Sequence, residues 1–533
     1  MQSLFTVKGK PFFSIGGQVN NSSTHSKETL QKAMDALELF GMNTIAAPLY
    51  WYQMEPTEGN YNFEQIDFVL EEARKRSLKV VFLWFGTWKN GASHYVPAWV
   101  KKDKKRFQWI LNKAGAATRI LSPMCQETLY ADAAAFKQIM RYIKEKNADN
   151  TVIAVQVENE PGQLGTPRDY SPCAEEAFQQ EIPDDMKQFL NSLSSGVIYD
   201  TWCQNGKKVD GNWKDTFAFH AEEVFSAYYF SKYIDTVANA GKEIYPLPMY
   251  VNVWVMETLN RIPGIDYPSG GATSLVLDLW KYFAPHIDCI CPDIYFEDYD
   301  TYDLICSIYR RKDNVLYIPE SRASERNSLH LFKMIEKYNL SGIHCFAIDS
   351  TIDRNGQVKK ESEDFRHAIA ILSSMKPLLE KYIGTGKIYA VAQYEGMDSQ
   401  FMDFGDYYGR VYFLNSIRDE PYVHLDTFHD EKEHLEVRAK GLIIYEGNGS
   451  FYLAGDGFKL VLIRKDNIDH MTSSTRAFKY LNARNQEIVS VEEGRFNEHG
   501  EFVIHKVRCG DEADMGIWVN YDVGLVHAEI ELN

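Results

Sequence analysis

The chain has 533 residues, too many for one compact domain and enough for a large domain with a smaller companion. Its 57 basic and 74 acidic residues give a formal charge of −17, which argues against nucleic acid as a partner. No apolar run is long enough to span a membrane, and the start, MQSLFTVKGKPFFSIGG, lacks the plan of a signal peptide. A cytoplasmic chain is expected, or one whose leader is absent from this sequence.

In chain order, short apolar runs alternate with helix-like stretches from residue 11 to about 380. The expected strands are PFFSIGG (11–17), NTIAAPLYW (43–51), LKVVFLWFG (78–86), TVIAVQVEN (151–159), LPMYVNVWV (247–255), IDCICPDIYF (287–296), VLYIPE (315–320) and GIHCFAID (342–349). Several are near-continuous apolar runs, as parallel strands buried on both faces should be. Between them, SKETLQKAMDALELFG (26–41) opens on a capping Ser and closes on Gly41, and FEQIDFVLEEARKRS (63–77) runs from acidic to basic along the helix dipole. Further helices are read in SLHLFKMIEKYNL and FRHAIAILSSMKPLLEKY. Eight strands alternating with helices predict an α/β fold, a TIM (β/α)8 barrel over residues 1–383. The stretch 160–246 is longer than a barrel requires and reads as an insertion walling the active site.

After residue 384 the pattern alternates apolar and polar, in GRVYFLNS, GLIIYEGNGSFYLAGDGFKLVLIR, AFKYLNA, EIVSVEEG, EFVIHKVRC and GIWVNYD, with YEGNGSF as a hairpin turn. A C-terminal antiparallel β-sandwich over 384–533 is expected. The 8 cysteines have no framework spacing and read as free thiols. Cys289 and Cys291 lie inside a strand-like run and are read as core, not as metal ligands.

Reactive groups of a barrel sit where strands leave its C-terminal face. The fourth strand ends on Glu158, Asn159 and Glu160 ahead of a Pro-Gly break, the sixth on Asp293 and Tyr295, the seventh on Glu320, and the eighth near Asp349. Two glutamates facing each other across a barrel mouth suit retaining glycoside hydrolysis, in which one protonates the leaving oxygen and the other attacks the anomeric carbon. Asn159 is a candidate for the sugar 2-hydroxyl, and Tyr295 for a hydrogen bond to Glu320. Glu158 reads as a binding or framework residue, since the reaction needs two carboxylates. Tyr50, Trp51, Trp84, Trp88 and Trp254 are candidate sugar platforms, with core packing the competing reading for the tryptophans. Glu55-Pro56 reads as loop-shaping, Asp349 and Asp353 as helix caps, and His220, His286 and His344 as structural. No metal motif occurs among the 14 histidines, and neither metal nor organic cofactor is expected.

The run QVENEPG resembles the acid/base motif of clan A glycoside hydrolases, and most nearly the family 35 β-galactosidases, with Pro161 in place of the usual aromatic. APLYWYQMEPTEGNYNFEQID resembles that family's second-strand segment. FLWFGTWKNGASHYVPAWVK, AGKEIYPLPMYVNVW, YPSGGATSLVLDLWKYFAPHIDCICPDIY and GLIIYEGNGSFYLAGDGF resemble a subgroup with a C-terminal domain of poorly defined function. The resemblance implies Glu160 as acid/base, Glu320 as nucleophile, and an exo-acting β-galactosidase on terminal residues of oligosaccharides. LWFGTWKNG replaces the family's Arg-Pro-Gly-Pro-Tyr run on the third strand. A β-glucosidase or α-L-arabinopyranosidase, or a non-catalytic carbohydrate-binding barrel, therefore stands as an alternative. A Schiff-base or metal-dependent barrel enzyme would want a Lys or a His/carboxylate cluster at the strand ends, and none is read there. Homo-oligomers are common among such enzymes, so a dimer or larger is an expectation.

Overall fold

The computed structural model describes residues 3–258, 261–416, 438–465, 486–513 and 516–532. Seven parallel strands form a curled sheet: β1 (Ser14–Gln18), β2 (Thr44–Tyr50), β3 (Lys79–Lys89), β4 (Val152–Asn159), β5 (Met249–Trp254), β6 (Cys289–Asp293) and β7 (Gly342–Phe346), in the order β6-β5-β4-β3-β2-β1-β7. The expected seventh barrel strand is extended backbone rather than a regular ladder. It nevertheless joins the two ends of the sheet. Ile318 bridges Ile343 of β7 and Ser321 bridges Ile294 just past β6, both in parallel. The Ile294 amide donates to the Glu320 carbonyl at 2.9 Å and the His344 amide to the Ile318 carbonyl at 2.9 Å. The eighth position is thus filled, and the sheet closes as a TIM barrel.

The helices lie where amphipathic spacing puts them. Helix α1 (Lys27–Phe40) begins at Ser26, whose hydroxyl accepts from the Thr29 amide, and ends at Gly41, whose φ of 69° needs no Cβ. Helices α2 (Glu64–Lys75), α3 (Gln126–Lys146), α4 (Ala221–Lys242) and α5 (Glu325–Tyr338) follow. The expected single helix over 365–382 is two, α6 (Glu363–Ser374) and α7 (Lys376–Tyr382), because Pro377 cannot donate within a continuous helix. Inside the barrel, Tyr50, Phe85, Tyr250, Cys289, Cys291 and Tyr317 form a packed plug, so the cysteine pair is core. His344 is also satisfied there, between Ser14 Oγ at 2.8 Å and Tyr317 Oη at 2.9 Å. Asp349 does not cap a helix. Its carboxylate accepts from the Asn20 amide at 2.9 Å and from Ser23 Oγ, tying β7 to the loop after β1.

The C-terminal region has two antiparallel sheets. One contains β8 (Ile388–Ala392), β11 (Lys440–Gly447), β12 (Ser450–Asp456), β17 (Leu525–Leu532), β14 (Gln486–Phe496) and β15 (Phe502–Val507), in that order. The other contains β9 (Ser399–Asp403), β10 (Tyr407–Phe413), β13 (Phe458–Arg464) and β16 (Ile517–Val519). A separate apolar core fills the space between them. The β11–β12 hairpin turns at Asn448 (φ 52°) and Gly449 (φ 81°), the left-handed pair that Asn-Gly supplies. The run AFKYLNA (477–483) lies outside the described residues. The larger sheet packs on the barrel helices through Leu442, Ile444 and Ala454, and Lys440 pairs with Asp364 of α6 at 3.2 Å. Among the described residues no helix is long and apolar enough to cross a membrane.

Candidate active site

The fourth strand carries the site. Asn159 ends β4 in register with Lys89 at the end of β3. β3 therefore runs three residues beyond the apolar stretch visible in the sequence. Both Glu158 (φ 61°) and Glu160 (φ 43°) adopt left-handed backbone, which costs a non-glycine residue about 1–2 kcal/mol. The break that follows is sterically fixed. Gly162 has φ 134°, and a Cβ there would stand 2.8 Å from Pro268 Cβ and 2.9 Å from the Ser269 carbonyl.

Glu160 is buried at the mouth of the barrel, and its amide donates to Asn252 Oδ1 on β5 at 2.8 Å. The other end of that amide, Asn252 Nδ2, donates to Asp293 Oδ2 at 2.7 Å. Glu320, buried opposite, accepts from Tyr295 Oη at 2.7 Å. Carboxylate oxygens of Glu160, Asp293 and Glu320 lie within 4.8 Å of one another. Among the described residues this is the group compact enough to offer three ligands to a cation.

The electrostatics favour protons on two of the three. Burial, reinforced by the neighbouring Glu320 charge, pushes the Glu160 carboxyl up to about 7, while Lys89 and the nearby Asp293 carboxyl act in the opposite direction. Burial, with Glu320 and Glu160 beside it, also holds Asp293 well above the usual carboxylate range. The arrangement keeps one carboxyl able to donate a proton within reach of another that can act as an anion, as two-carboxylate chemistry requires.

The three carboxyls open onto a cleft of about 520 Å³, a size suited to a small ligand. Lys89 and Asn90 stand at one side, joined by a hydrogen bond of 2.7 Å, and Lys89 Nζ also donates to Asn159 Oδ1. Trp254, Tyr295, Phe296 and Phe346 supply aromatic surface, and Arg261 and Arg322 add positive charge.

The remaining sequence-expected residues fall elsewhere. Tyr50, Trp51, Trp84 and Trp88 are fully buried and line no part of the cleft. The Trp51 indole donates to Glu55 at 2.8 Å, that of Trp84 to Asp132 at 2.8 Å, and that of Trp88 to the Leu121 carbonyl at 3.1 Å. Tyr50 accepts from Thr24 at 2.8 Å and clusters with Tyr52 and Tyr95, the three rings mutually 5.5–6.2 Å apart. With their polar groups satisfied beneath the surface, these rings are core and not sugar platforms. Glu55, also bonded to the Gly59 amide at 2.7 Å, shapes its loop. Asn159 is fully buried, its oxygen engaged by Lys89 and its Nδ2 without a partner among the described residues.

Glu158 turns away from the cleft. Its oxygens accept from the amides of Thr87 at 3.0 Å and Trp88 at 2.6 Å, and its carboxyl pairs with that of Asp132 on α3. Asp132 in turn accepts from Trp84 Nε1 and Thr87 Oγ1. Burial, then the Asp132 charge, raises Glu158 well above the ordinary range, so the pair shares a proton. Glu158 therefore lines no part of the cleft. A Cβ on Gly86 would stand 2.6 Å from its Oε1, which fixes glycine there.

Residues 21–210 match the glycosyl hydrolase family 42 profile described as Beta-galactosidase. This is a glycoside hydrolase domain. Residues 365–520 match a domain of unknown function, DUF5597, whose boundary falls inside α6 rather than after α7. No curated protein matches the chain significantly. A β-galactosidase from Bacillus circulans sp. alkalophilus is similar in fold, with a TM-score of 0.50 and 13% identity over 70% of this chain and 57% of that one. The family 42 β-galactosidase Gan42B of G. stearothermophilus gives 0.49 and 16% over 72% and 58%. The catalytic domain of a Paenibacillus polymyxa β-amylase gives 0.49 and 14% over 68% and 98%. The chain thus spans under two thirds of the length of the two β-galactosidases, and the likeness concerns fold alone. The hydrolase domain places its carboxyls at the strand ends that the barrel rule designates.

Proposed function

We propose that the protein is a retaining, exo-acting β-galactosidase that releases terminal galactose from oligosaccharides. Glu160 is the acid/base and Glu320 the nucleophile. The observation that carries the reading is the spacing of the two carboxyls, with oxygens within 4.8 Å, on the scale of the ~5–5.5 Å that direct attack on the anomeric carbon needs. In the first step Glu320 attacks while Glu160 gives its proton to the leaving oxygen. In the second Glu160 takes a proton from water, which displaces Glu320 from the sugar. Tyr295 holds the nucleophile in place. The motif resemblance to family 35 and the family 42 profile differ in family but both point to a β-galactosidase. The domain division at 383/384 is also ours, as is a cytoplasmic location, which the eight free thiols support.

A panel of nitrophenyl β-D-galactoside, β-D-glucoside, β-D-xyloside and α-L-arabinopyranoside tests this, with Glu160→Ala and Glu320→Ala alongside. The expected result is galactoside cleavage, loss of activity in Glu320→Ala, and azide rescue of Glu160→Ala with a β-galactosyl azide product. Cleavage of another glycoside alone would replace the sugar in this reading. Full activity in Glu160→Gln on an unactivated galactoside would remove its acid.

A further inference from the structure

Two-glutamate chemistry leaves the third buried carboxyl, Asp293, without a task. Asp293 ends β6 in register with Trp254 of β5 and is 2% exposed. Its one donor among the described residues is a neutral amide, Asn252, on Oδ2, and Oδ1 has no partner. From the cleft it faces Glu160, Glu320, Tyr295 and Lys89, from the barrel interior Cys291, Tyr250 and Tyr317, and from the helix after β6 Tyr309. Lys89 is the cation in that set, and its ammonium is directed to Asn159 and Asn90. A charged Asp293 would be a second anion beside the nucleophile with no cation bonded to it, an arrangement that favours the neutral form. Carboxyl oxygens of Asp293, Glu160 and Glu320 lie within 4.8 Å of one another, a crowding in which buried acids do not all ionise.

Resting on the glycosidase reading, we propose that Asp293 is a positioning residue for this reaction. It is an un-ionised acid that adds no charge beside Glu320 in the resting site and donates a hydrogen bond to Glu160 once Glu160 has given up its proton. The proton count balances. At rest Glu320 is the anion, and Glu160 and Asp293 each carry a proton. When the bond from Glu320 to the anomeric carbon forms and the glycosidic bond breaks, the Glu160 proton leaves with the aglycone oxygen. The charge then sits on Glu160, where Asp293 donates to it. Water gives its proton back to Glu160 and its oxygen to the sugar, and Glu320 departs as the anion. Asp293 keeps its proton throughout.

The test compares Asp293→Asn, which keeps a neutral donor, with Asp293→Ala, which does not. Asp293→Asn is expected to hold kcat within about threefold and leave the basic limb of kcat/KM in place. Asp293→Ala is expected to raise that limb by about one pH unit and lower kcat about tenfold or more, with the glycosyl-enzyme accumulating. An ionised Asp293 would give the opposite sign, since Asp293→Asn would then remove an anion beside Glu160 and move the limb down. That result overturns the proposal, as do two variants that alter stability or KM with unchanged pH profiles. A readout independent of turnover is the wild-type minus Asp293→Asn infrared difference spectrum at pH 7, expected to show the loss of one un-ionised carboxyl stretch while those of the Glu158–Asp132 pair, Glu160 and Glu223 persist. If wild type hydrolyses galactoside and the two spectra coincide in that region, Asp293 alone is misassigned. If wild type cleaves no glycoside, the glycosidase reading fails and takes the proposal with it.

Discussion

The raised Glu160 carboxyl makes a quantitative prediction about rate. At its ordinary value of 4.5, about one glutamate in 300 would carry a proton at pH 7, whereas at about 7 half of them do. The environment of Glu160 thus supplies a factor of about 150 in the acid form at neutral pH. The cause is burial and the Glu320 charge, only partly offset by Lys89 and Asp293. The expected profile of kcat/KM on 4-nitrophenyl β-galactoside has a basic limb centred near pH 7, falling tenfold per pH unit beyond it. With a dinitrophenyl leaving group, which needs no protonation, Glu160→Gln should retain the first step and lose the limb. The same shift acts on stability. The folded protein holds a proton that the unfolded chain releases between pH 4.5 and about 7, so stability falls as pH rises through that window, by about 3 kcal/mol in total. Urea unfolding should therefore find Glu160→Gln more stable than wild type at pH 8 and level with it below pH 4.5. A basic limb that survives in Glu160→Gln, or one centred in the ordinary carboxylate range, would refute the assignment of Glu160 as the acid.

Other outcomes follow from single contacts. Tyr295→Phe removes the 2.7 Å donor from Glu320 and is expected to cost about 10- to 100-fold in kcat, with circular dichroism unchanged. Asp132→Ala strands Trp84 Nε1 in the interior, leaves Thr87 Oγ1 only Tyr233 as its partner, and is expected to cost about 3 kcal/mol or more in urea unfolding; a loss below about 1 kcal/mol would show the pair to be dispensable. Glu223, on α4, is raised to about 7 mainly by burial and is held by Tyr267 and Thr273 hydroxyls that can reverse their roles toward an amide. Glu223→Gln should therefore stabilise the protein by up to about 3 kcal/mol at pH 8 and change little below pH 4.5, where folded and unfolded states are both protonated. An equal effect at both pH values would refute that account.

The barrel was legible because parallel strands buried on both faces read as unbroken apolar runs, and all eight runs lie where the barrel has strands. The seventh was legible even though VLYIPE makes isolated bridges instead of a ladder, since its burial, not its hydrogen bonding, writes the sequence signal. Glu160 and Glu320 were found by the strand-end rule. Trp254 lines the cleft, whereas Trp51, Trp84 and Trp88 follow the competing core reading, because composition does not distinguish a ring at a rim from one whose N–H is satisfied underneath, as Trp84 is by Asp132. Lys89 was missed because Gly86 looked like the end of its strand, when glycine is there to clear the Glu158 carboxyl. Asn252 sits mid-strand among apolar neighbours and only the fold shows that it faces a strand end. Asp132 did leave a trace. It occupies the buried stripe of α3 with Leu129, Phe136 and Ile139, and a carboxylate on such a stripe needs a partner.

The two tiers of carboxyls explain why this strand end tolerates backbone strain. In an ideal strand Glu158 and Glu160 would point to the same face. Two such groups cannot both enter the cleft beside Asp293 and Glu320 without placing four carboxyls in one buried space. Left-handed turns at both residues separate them. Glu158 goes into the layer against α3, where two peptide amides and Asp132 hold it. Glu160 goes into the cleft, where Asn252 fixes its amide. The inner pair is therefore what keeps the backbone in a conformation it would otherwise leave, and the cleft carboxyl is aimed by a residue that lies outside the cleft.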